Sequence, residues 1–151
     1  MEKFKNKIPL TFLTLLFLVL NFILSFYFEE IDIPYKYFFT TLLLIVGFYI
    51  IIRSSRLFAK AKTSINPLRP HKSTSLITND IYKYSRNPMY FGFLLIILSS
   101  SVYLGNVISI FIIPLFIFTI NFLQIIPEEE ALKDLFGPRY DEYLSKVRRW
   151  I

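Results

Sequence analysis

Two short segments of this chain bring together side chains that could do chemistry. The first, Tyr82–Gly92, reads YKYSRNPMYFG and places an arginine, an asparagine and several tyrosines where an apolar run begins. The second, Glu128–Glu130, is a run of three carboxylates directly after a later apolar run. Opposite charges and aromatic rings around one cleft indicate a binding site. The plain alternative is an interfacial salt bridge, which contributes only ~0–1 kcal/mol when exposed.

A helical hairpin is expected to bring the two segments to the same place. The apolar runs that follow and precede them, 88–104 and 107–126, are separated only by Gly105 and Asn106, a pair typical of a tight turn. Antiparallel helices joined by such a turn begin and end on the same side. Arg86 and the Glu128–Glu129 pair are therefore expected at similar depth, around one cleft at the membrane surface.

Two further apolar runs, 8–28 and 35–53, complete the set that must position this cleft. A span needs ~20 apolar residues to cross a hydrocarbon core of ~30 Å, and each backbone amide in lipid must be paired internally, which favours helices. The sequence therefore predicts an all-α polytopic membrane protein, a single membrane domain over residues 1–151 with about four transmembrane helices. The predicted spans are 8–28, 35–53, 88–104 and 107–126.

Composition and charge agree with a membrane protein and exclude other classes. The chain is 54% hydrophobic and 19% aromatic, and it has no cysteine, which excludes disulfides and thiolate metal sites. Its +6 charge lies at the edges of apolar runs, which is not the pattern of a nucleic-acid site. With both termini cytoplasmic, Lys36 alone of the seventeen basic residues lies outside. This positive-inside bias sets the orientation and suits a bacterial inner membrane.

The two cytoplasmic segments are predicted at 54–87 and 127–151. The second should form amphipathic helices, with an acidic start that suits a helix N-terminus and an interruption at Gly137 and Pro138. The last helix carries Tyr140 and Tyr143 on one face, although a plain amphipathic tail explains the same spacing. The lone His71 has no metal-binding or basic partner in the sequence and is interpreted as a surface residue.

The two segments resemble motifs of the isoprenylcysteine carboxyl methyltransferase and phospholipid methyltransferase families of membrane enzymes. Members of these families carry Arg-His-Pro-x-Tyr-x-Gly at the start of one span, and a Glu-Glu pair, a Leu, a Phe-Gly and spaced tyrosines after the last spans. The residues that match the first motif are Arg86, Pro88, Tyr90 and Gly92. Those that match the second, in register, are Glu128, Glu129, Leu132, Phe136, Gly137, Tyr140 and Tyr143. The resemblance covers roughly 68–151.

The resemblance implies an S-adenosylmethionine-dependent methyltransferase that acts on a lipid-like acceptor. Arg86 would pair bidentately with the cofactor carboxylate, and Glu129 would receive its amino group or ribose hydroxyls; these two are the expected catalytic residues. The expected cofactor-binding set is Tyr82, Arg86, Asn87, Pro88, Tyr90, Gly92, Glu128 and Glu129. Tyr140 and Tyr143 are expected to contact the substrate. Catalysis would rest on proximity, alignment and exclusion of water, with no metal.

One departure from the family pattern leaves alternatives open: Asn87 stands where members often have His. Asn keeps hydrogen-bonding capacity but cannot titrate. Methylation of a carboxylate removes no proton and methylation of a neutral amine needs only a lone pair, so Asn could substitute for His in either reaction. The motifs do not separate the two acceptors; carboxyl O-methylation of an isoprenylcysteine-like acceptor is the first hypothesis. N-methylation of a phospholipid amine is the second. A non-catalytic membrane protein with a degenerate cofactor site is the alternative from another class, and a transporter is disfavoured because no span has a central charge.

Overall fold

The structure, a computed structural model, describes residues 8–61 and 74–151. Within these ranges the regular structure is helical, which confirms the predicted all-α class, and β-pairing is limited to an isolated bridge between Glu30 and Asn106. The predictions for Lys3, Lys5, Lys7 and His71 fall outside the described residues. The helical elements are α1 (Leu10–Ser25), α2 (Lys36–Lys60), a 3₁₀ turn (Asp80–Lys83), α3 (Pro88–Leu104), α4 (Ser109–Ile120), a π-helical turn (Asn121–Ile125), α5 (Ile126–Phe136) and α6 (Pro138–Lys146).

The helix that contains the fourth apolar run continues beyond the predicted span. The prediction placed its end at residue 126, but α4 continues through the π-helical turn into α5, so that Ser109–Phe136 is one helix of 28 residues. Pro127 lacks an N–H and cannot make the regular helical bond; the π-helical turn lies directly before it and carries the chain past it. The carboxylates of the second segment consequently lie on a rigid helix.

In the part of the chain that the structure describes, two helices, α2 and Ser109–Phe136, are long and apolar enough to cross a membrane, with mean hydropathy of 1.8 and 2.2. The other two predicted spans are the shorter apolar helices α1 and α3, of 16 and 17 residues. At ~1.5 Å per residue they reach only ~24–26 Å, somewhat less than a ~30 Å hydrocarbon core. The count of four spans therefore stays a prediction. Large apolar side chains are exposed along these helices, as a lipid-facing surface requires, among them Leu15, Phe38, Ile45, Phe111 and Phe118.

The connections α1–α2 and α3–α4 meet at one end of the bundle, where the backbone N–H of Ile31 donates to the carbonyl of Gly105. An ion pair between Lys36 and Glu30 lies at this same end. The helices consequently run antiparallel in sequence order. The end of α2, the start of α3 and α5 lie together at the opposite end, where Arg53 pairs with Asp80 and Arg86 with Glu129.

Helices α2 and α3 approach each other closely at two glycines. A Cβ atom added to Gly92 would lie 2.8 Å from the carbonyl oxygen of Gly47 and 2.7 Å from Cγ1 of Ile51. A Cβ on Gly47 would lie 2.9 Å from the carbonyl oxygen of Gly92. Small residues of this kind let helix backbones pack tightly where lipid offers no hydrophobic driving force.

A buried polar network joins α1 to the α3–α4 hairpin. Asn21 is fully buried, and its side-chain amide donates to the hydroxyl of Ser101 at 3.1 Å. The hydroxyl of Ser109 in turn donates to Oδ1 of Asn21 at 2.8 Å. Such bonds satisfy polar groups that hydrocarbon cannot solvate, and they hold α1 against the helices that carry the two functional segments.

Candidate active site at the polar end of the bundle

A cavity of about 520 Å³ lies at the end of the bundle where α2 ends and α3 begins. This volume falls in the range of small-molecule sites. Eight of the ten residues that the sequence predicted for the site line the cavity: Tyr82, Arg86, Asn87, Tyr90, Glu128, Glu129, Tyr140 and Tyr143. The 3₁₀ turn, the start of α3, α5 and α6 each supply part of this set, so the fold assembles it from both segments.

The other two predicted cofactor-binding residues, Pro88 and Gly92, do not line the cavity. Pro88 is buried in the first turn of α3, where its fixed φ suits a helix start. Gly92 faces Gly47 and Ile51 on α2. In this fold Pro88 starts α3 and Gly92 lets it pack closely against α2. This explains why both residues belong to the motif although they do not line the cavity.

Glu129 lies between two arginines. Its Oε1 is 3.4 Å from Nη1 of Arg86, and both side chains are about 14% exposed or less. Arg149 binds the same carboxylate with two nitrogens, Nε at 3.2 Å from Oε1 and Nη2 at 2.6 Å from Oε2. Arg149 is not among the residues that line the cavity, whereas Arg86 and Glu129 are. The sequence predicted that Arg86 and Glu129 lie together, but the contact of Arg149 with Glu129 was not predicted. The signal in the sequence that could have indicated it is the Arg-Trp pair formed by Arg149 and Trp150.

Arg86 keeps hydrogen-bonding capacity that the protein does not use. Its Nε is buried and has no hydrogen-bond partner among the described residues. A buried donor without a partner is costly, and a ligand oxygen in the cavity would satisfy it. The guanidinium can therefore receive a carboxylate or a similar anionic group.

Glu128 is held by a different contact from that of Glu129. The hydroxyl of Tyr90, a buried residue of α3, donates to Oε2 of Glu128 at 2.9 Å. Among the described residues no hydrogen bond to the second oxygen of this carboxylate is seen, and a donor on a ligand could use it. The two neighbouring carboxylates thus differ, because arginines neutralise Glu129 whereas a neutral phenol holds Glu128.

Tyrosines form much of the wall of the cavity. The hydroxyl of Tyr143 donates to the backbone carbonyl of Tyr82 at 2.7 Å, which ties α6 to the 3₁₀ turn. Burial raises the pKa of the Tyr82, Tyr140 and Tyr143 hydroxyls well above the usual value. These phenols stay neutral at physiological pH and offer aromatic surface, as binding sites for positively charged ligand groups do.

Asn87 lines the cavity and also contacts the carboxy-terminal residues. Its side-chain amide donates to the carbonyl oxygen of Arg149 at 3.0 Å, and its backbone N–H donates to the hydroxyl of Ser85 at 3.1 Å. The sequence predicted Asn87 as a cofactor contact, and the structure adds this bond to the tail.

Part of the lining of the cavity is apolar. It is formed by the start of α1, the last turns of α2 and the first turns of α3, with Leu10, Ile51, Phe58, Met89 and Phe93. A charged end and an apolar end in one cavity fit a ligand that is itself amphipathic. Among the described residues there is no cluster of His, Cys, Asp and Glu that could hold a metal ion.

The residues present fit S-adenosylmethionine. The zwitterionic amino-acid end of that molecule needs a cation for its carboxylate and an acceptor for its amine, which the unpaired Nε of Arg86 and the free oxygen of Glu128 can supply. Aromatic faces near a sulfonium are favourable for the same reason that they bind other cations. The cavity also leaves room on its apolar side for part of a second molecule.

The family model described as phospholipid methyltransferase matches residues 35–139, which is more than half of the chain. The chain therefore belongs to the phospholipid methyltransferase family. The match includes α2, α3, α4, α5 and both functional segments, and it ends before Tyr140 and Tyr143. The family resemblance inferred from the motifs is thereby confirmed.

Among the proteins that are similar to parts of this chain are the following three. An uncharacterised protein of Haemophilus influenzae is 43% identical over 63 residues, which are 42% of this chain and all of that protein. The protein-S-isoprenylcysteine O-methyltransferase of Schizosaccharomyces pombe is 35% identical over 51% of this chain and 33% of that protein. Protein-S-isoprenylcysteine O-methyltransferase B of Arabidopsis thaliana is 34% identical over 56% of this chain and 43% of that protein.

The chain thus matches only a third to under half of the length of these two named relatives. No solved structure matches it.

Proposed function

We propose that this protein is an S-adenosylmethionine-dependent methyltransferase that methylates the carboxylate of an isoprenylcysteine-like lipidic acceptor. The observation that carries the proposal is one cavity lined both by Arg86, Glu128 and four tyrosines and by apolar side chains. Membership of a methyltransferase family and the names of the similar proteins support it.

The polar end of the cavity would hold the methyl donor. When bound, the cofactor supplies an electrophilic methyl group on its sulfonium. Arg86 would bind the carboxylate of the cofactor. Glu128 would accept a hydrogen bond from the amine of the cofactor at the oxygen that Tyr90 does not bind. Glu129 would mainly position Arg86 and would not itself contact the cofactor, because two arginines already bind its carboxylate. This revises the expectation that Glu129 itself receives the amino group.

The apolar wall would hold the acceptor. Leu10, Ile51 and Phe93 offer a hydrocarbon-compatible surface next to the charged end, so the chain of a lipid can lie against it while its head group faces the methyl donor. A carboxylate acceptor attacks without losing a proton, so the site needs no general base. The side chains would contribute proximity, in-line orientation and exclusion of water, which together account for large rate effects.

The proposal includes a membrane topology. Four spans, α1, α2, α3 and Ser109–Phe136, would place both termini and the cavity on the cytoplasmic side of a bacterial inner membrane. The antiparallel order of the helices and the grouping of basic residues at the cavity end support this orientation.

A second candidate function is N-methylation of a phospholipid amine. The description of the matching family favours it, since that family is described by a phospholipid acceptor. The residues of the polar end would bind the methyl donor, which both reactions share. The acceptor must therefore be identified by experiment.

The test is methyl transfer by purified protein in detergent, with methyl-labelled S-adenosylmethionine and either a farnesylated cysteine derivative or phosphatidylethanolamine. We expect label in the first acceptor, released by mild base as a methyl ester is; label that resists base in the second would establish the amine reaction instead. Arg86→Ala should abolish transfer, whereas Lys146→Ala, which changes an exposed cation on α6, should not. A folded wild type that labels neither acceptor would reject the proposed function.

A further inference from the structure

The last four residues form a strap across the polar end of the bundle. After α6 ends at Lys146, residues 148–151 run without helical structure; we call them the carboxy-terminal strap. The backbone N–H of Arg86 donates to the carbonyl of Arg148 at 3.0 Å, and the indole N–H of Trp150 donates to Oδ1 of Asn121 at 3.3 Å. The strap therefore joins the start of α3 to the π-helical turn.

Between these two anchors, Asn87 binds the middle of the strap. Its amide donates to the carbonyl oxygen of Arg149 at 3.0 Å, and the hydroxyl of Ser85 reaches the same oxygen at 3.5 Å. Asn87 is 8% exposed, so water offers its amide little alternative. This contact fixes the backbone of Arg149 beside α3 and so determines where its guanidinium reaches.

Arg149 changes the charge that a ligand meets in the cavity. It binds both oxygens of Glu129, whereas Arg86 approaches only one of them, at 3.4 Å. One carboxylate thus lies between two cations, so Arg149 adds one positive charge to the Arg86–Glu129 pair, and of the two arginines only Arg86 lines the cavity. If Arg149 were absent, Glu129 would pair with Arg86 alone, and the net charge of the Arg86–Glu129 pair would be zero.

We propose that Asn87 is a positioning residue that holds the strap so that Arg149 neutralises Glu129 and leaves Arg86 to bind the anionic group of a ligand. Asn replaces the family's usual His at this position, and a ring N–H could donate to the same carbonyl. The part that concerns the ligand rests on the proposed function; the part that concerns the strap does not.

The strap carries its own probe, because Trp150 is the single tryptophan of the chain. We expect Asn87→Asp, which replaces a donor by an acceptor opposite a carbonyl, to shift the tryptophan emission of detergent-purified protein to longer wavelength and to raise acrylamide quenching at least twofold. Asn87→His should keep the wild-type emission. Asn79→Asp, the same change at an exposed asparagine outside the strap, is the matched control.

Wild-type emission and quenching in folded Asn87→Asp would overturn the proposal. If Asn87→Asp does not fold, Asn87→Ala combined with Ser85→Ala removes both side-chain donors without adding a charge. Unchanged emission in that double variant would overturn the proposal equally.

The ligand part is tested by equilibrium binding of S-adenosylmethionine. Arg149→Gln should weaken binding about tenfold and raise KM for the cofactor by a similar factor, with kcat changed less than threefold. Wild-type affinity in folded Arg149→Gln would refute the charge argument. A wild type that binds no S-adenosylmethionine would reject the proposed function and with it the ligand part, whereas the fluorescence of Trp150 still decides whether Asn87 holds the strap.

Discussion

Tyr90 and Glu128 join α3 to α5 at the wall of the cavity. The phenol hydroxyl of Tyr90 donates to Oε2 of Glu128 at 2.9 Å, and the ring of Tyr90 is buried in the core beneath the site. This bond connects the two motifs that lie 38 residues apart in the sequence. It fixes the direction of the carboxylate, and it leaves one oxygen for a ligand.

Removal of the Tyr90 hydroxyl should destabilise the protein. Tyr90→Phe leaves Oε2 of Glu128 without its donor, and an unsatisfied buried polar atom costs about 1–3 kcal/mol. The measurement is the free energy of unfolding in mixed detergent. In Glu128→Leu the same Tyr90→Phe change should cost less, because its acceptor is already gone. Tyr84→Phe, at a ring that is 76% exposed, is the control and should have little effect; equal losses from Tyr84→Phe and Tyr90→Phe would contradict the assignment.

Substitution of Gly92 should disturb the α2–α3 contact. In Gly92→Ala the new methyl group would lie 2.7 Å from Cγ1 of Ile51 and 2.8 Å from the carbonyl oxygen of Gly47, and the second atom is backbone that cannot move away easily. Overpacking of this kind costs about 1–3 kcal/mol. The thermal unfolding midpoint in detergent should fall. Thr119→Ala serves as a control, since its hydroxyl donates to the carbonyl of Leu115 in the same helix. A midpoint for Gly92→Ala at or above the wild type would show that the helices do not approach so closely.

Asp80 has a strained backbone that a glycine should relieve. Its φ is +58°, a left-handed conformation that costs a residue with a Cβ about 1–2 kcal/mol. Asp80→Gly and Asp80→Ala both remove the ion pair with Arg53, but only the alanine variant retains the strain. Asp80→Gly should therefore unfold at a higher temperature than Asp80→Ala. The opposite order would mean that the 3₁₀ turn has a different conformation.

Asp80 also predicts a direction for the effect of pH. The hydrogen bond from Arg53 holds the pKa of this carboxyl below its usual value. A lowered folded-state pKa contributes stability above the unfolded value that is lost as pH falls through the folded one. Acidification below pH 4 should thus destabilise the wild type slightly more than Asp80→Asn, compared by thermal unfolding across pH. Parallel pH profiles would refute the contribution of this pair.

The proposed topology can be tested because the chain has no native cysteine. Tyr27→Cys in the α1–α2 connection and Tyr84→Cys before α3 both replace exposed side chains. In bacterial cells with a permeabilised outer membrane, an impermeant maleimide should label Tyr27→Cys directly and Tyr84→Cys only after lysis. The reverse pattern would invert the orientation, and labelling of both sites in unlysed cells would contradict the single span, α2, that the proposed topology places between them.

The helices and the polar end could be predicted from the sequence because their causes are local. Long apolar runs without charge must form helices in lipid, and the two-residue turn at Gly105 and Asn106 fixes an antiparallel hairpin. That hairpin alone was enough to predict that Arg86 and Glu129 lie together. The bounds of α3, Pro88–Leu104, agree with the predicted span.

Other features depend on contacts that no local pattern encodes. The role of Gly92 follows from Gly47, which lies 45 positions earlier on another helix. The position of Arg149 follows from bonds between Asn87 and the strap, which has no regular structure of its own. The continuation of α4 into α5 also escaped prediction, because the acidic run resembled a helix start and Pro127 a helix boundary. Periodicity predicts elements, whereas these features arise only from packing.

The central claim is that the cavity binds S-adenosylmethionine through Arg86, and isothermal titration of the purified protein in detergent tests it most directly. The wild type should bind with one site per chain. Arg86→Ala should lose at least ~1.5 kcal/mol of binding free energy, about tenfold in affinity, because a charge-assisted hydrogen bond is lost. Arg139→Ala, which removes an exposed arginine of α6, should bind as the wild type does. No heat of binding with the folded wild type, or equal affinity in Arg86→Ala, would contradict the account.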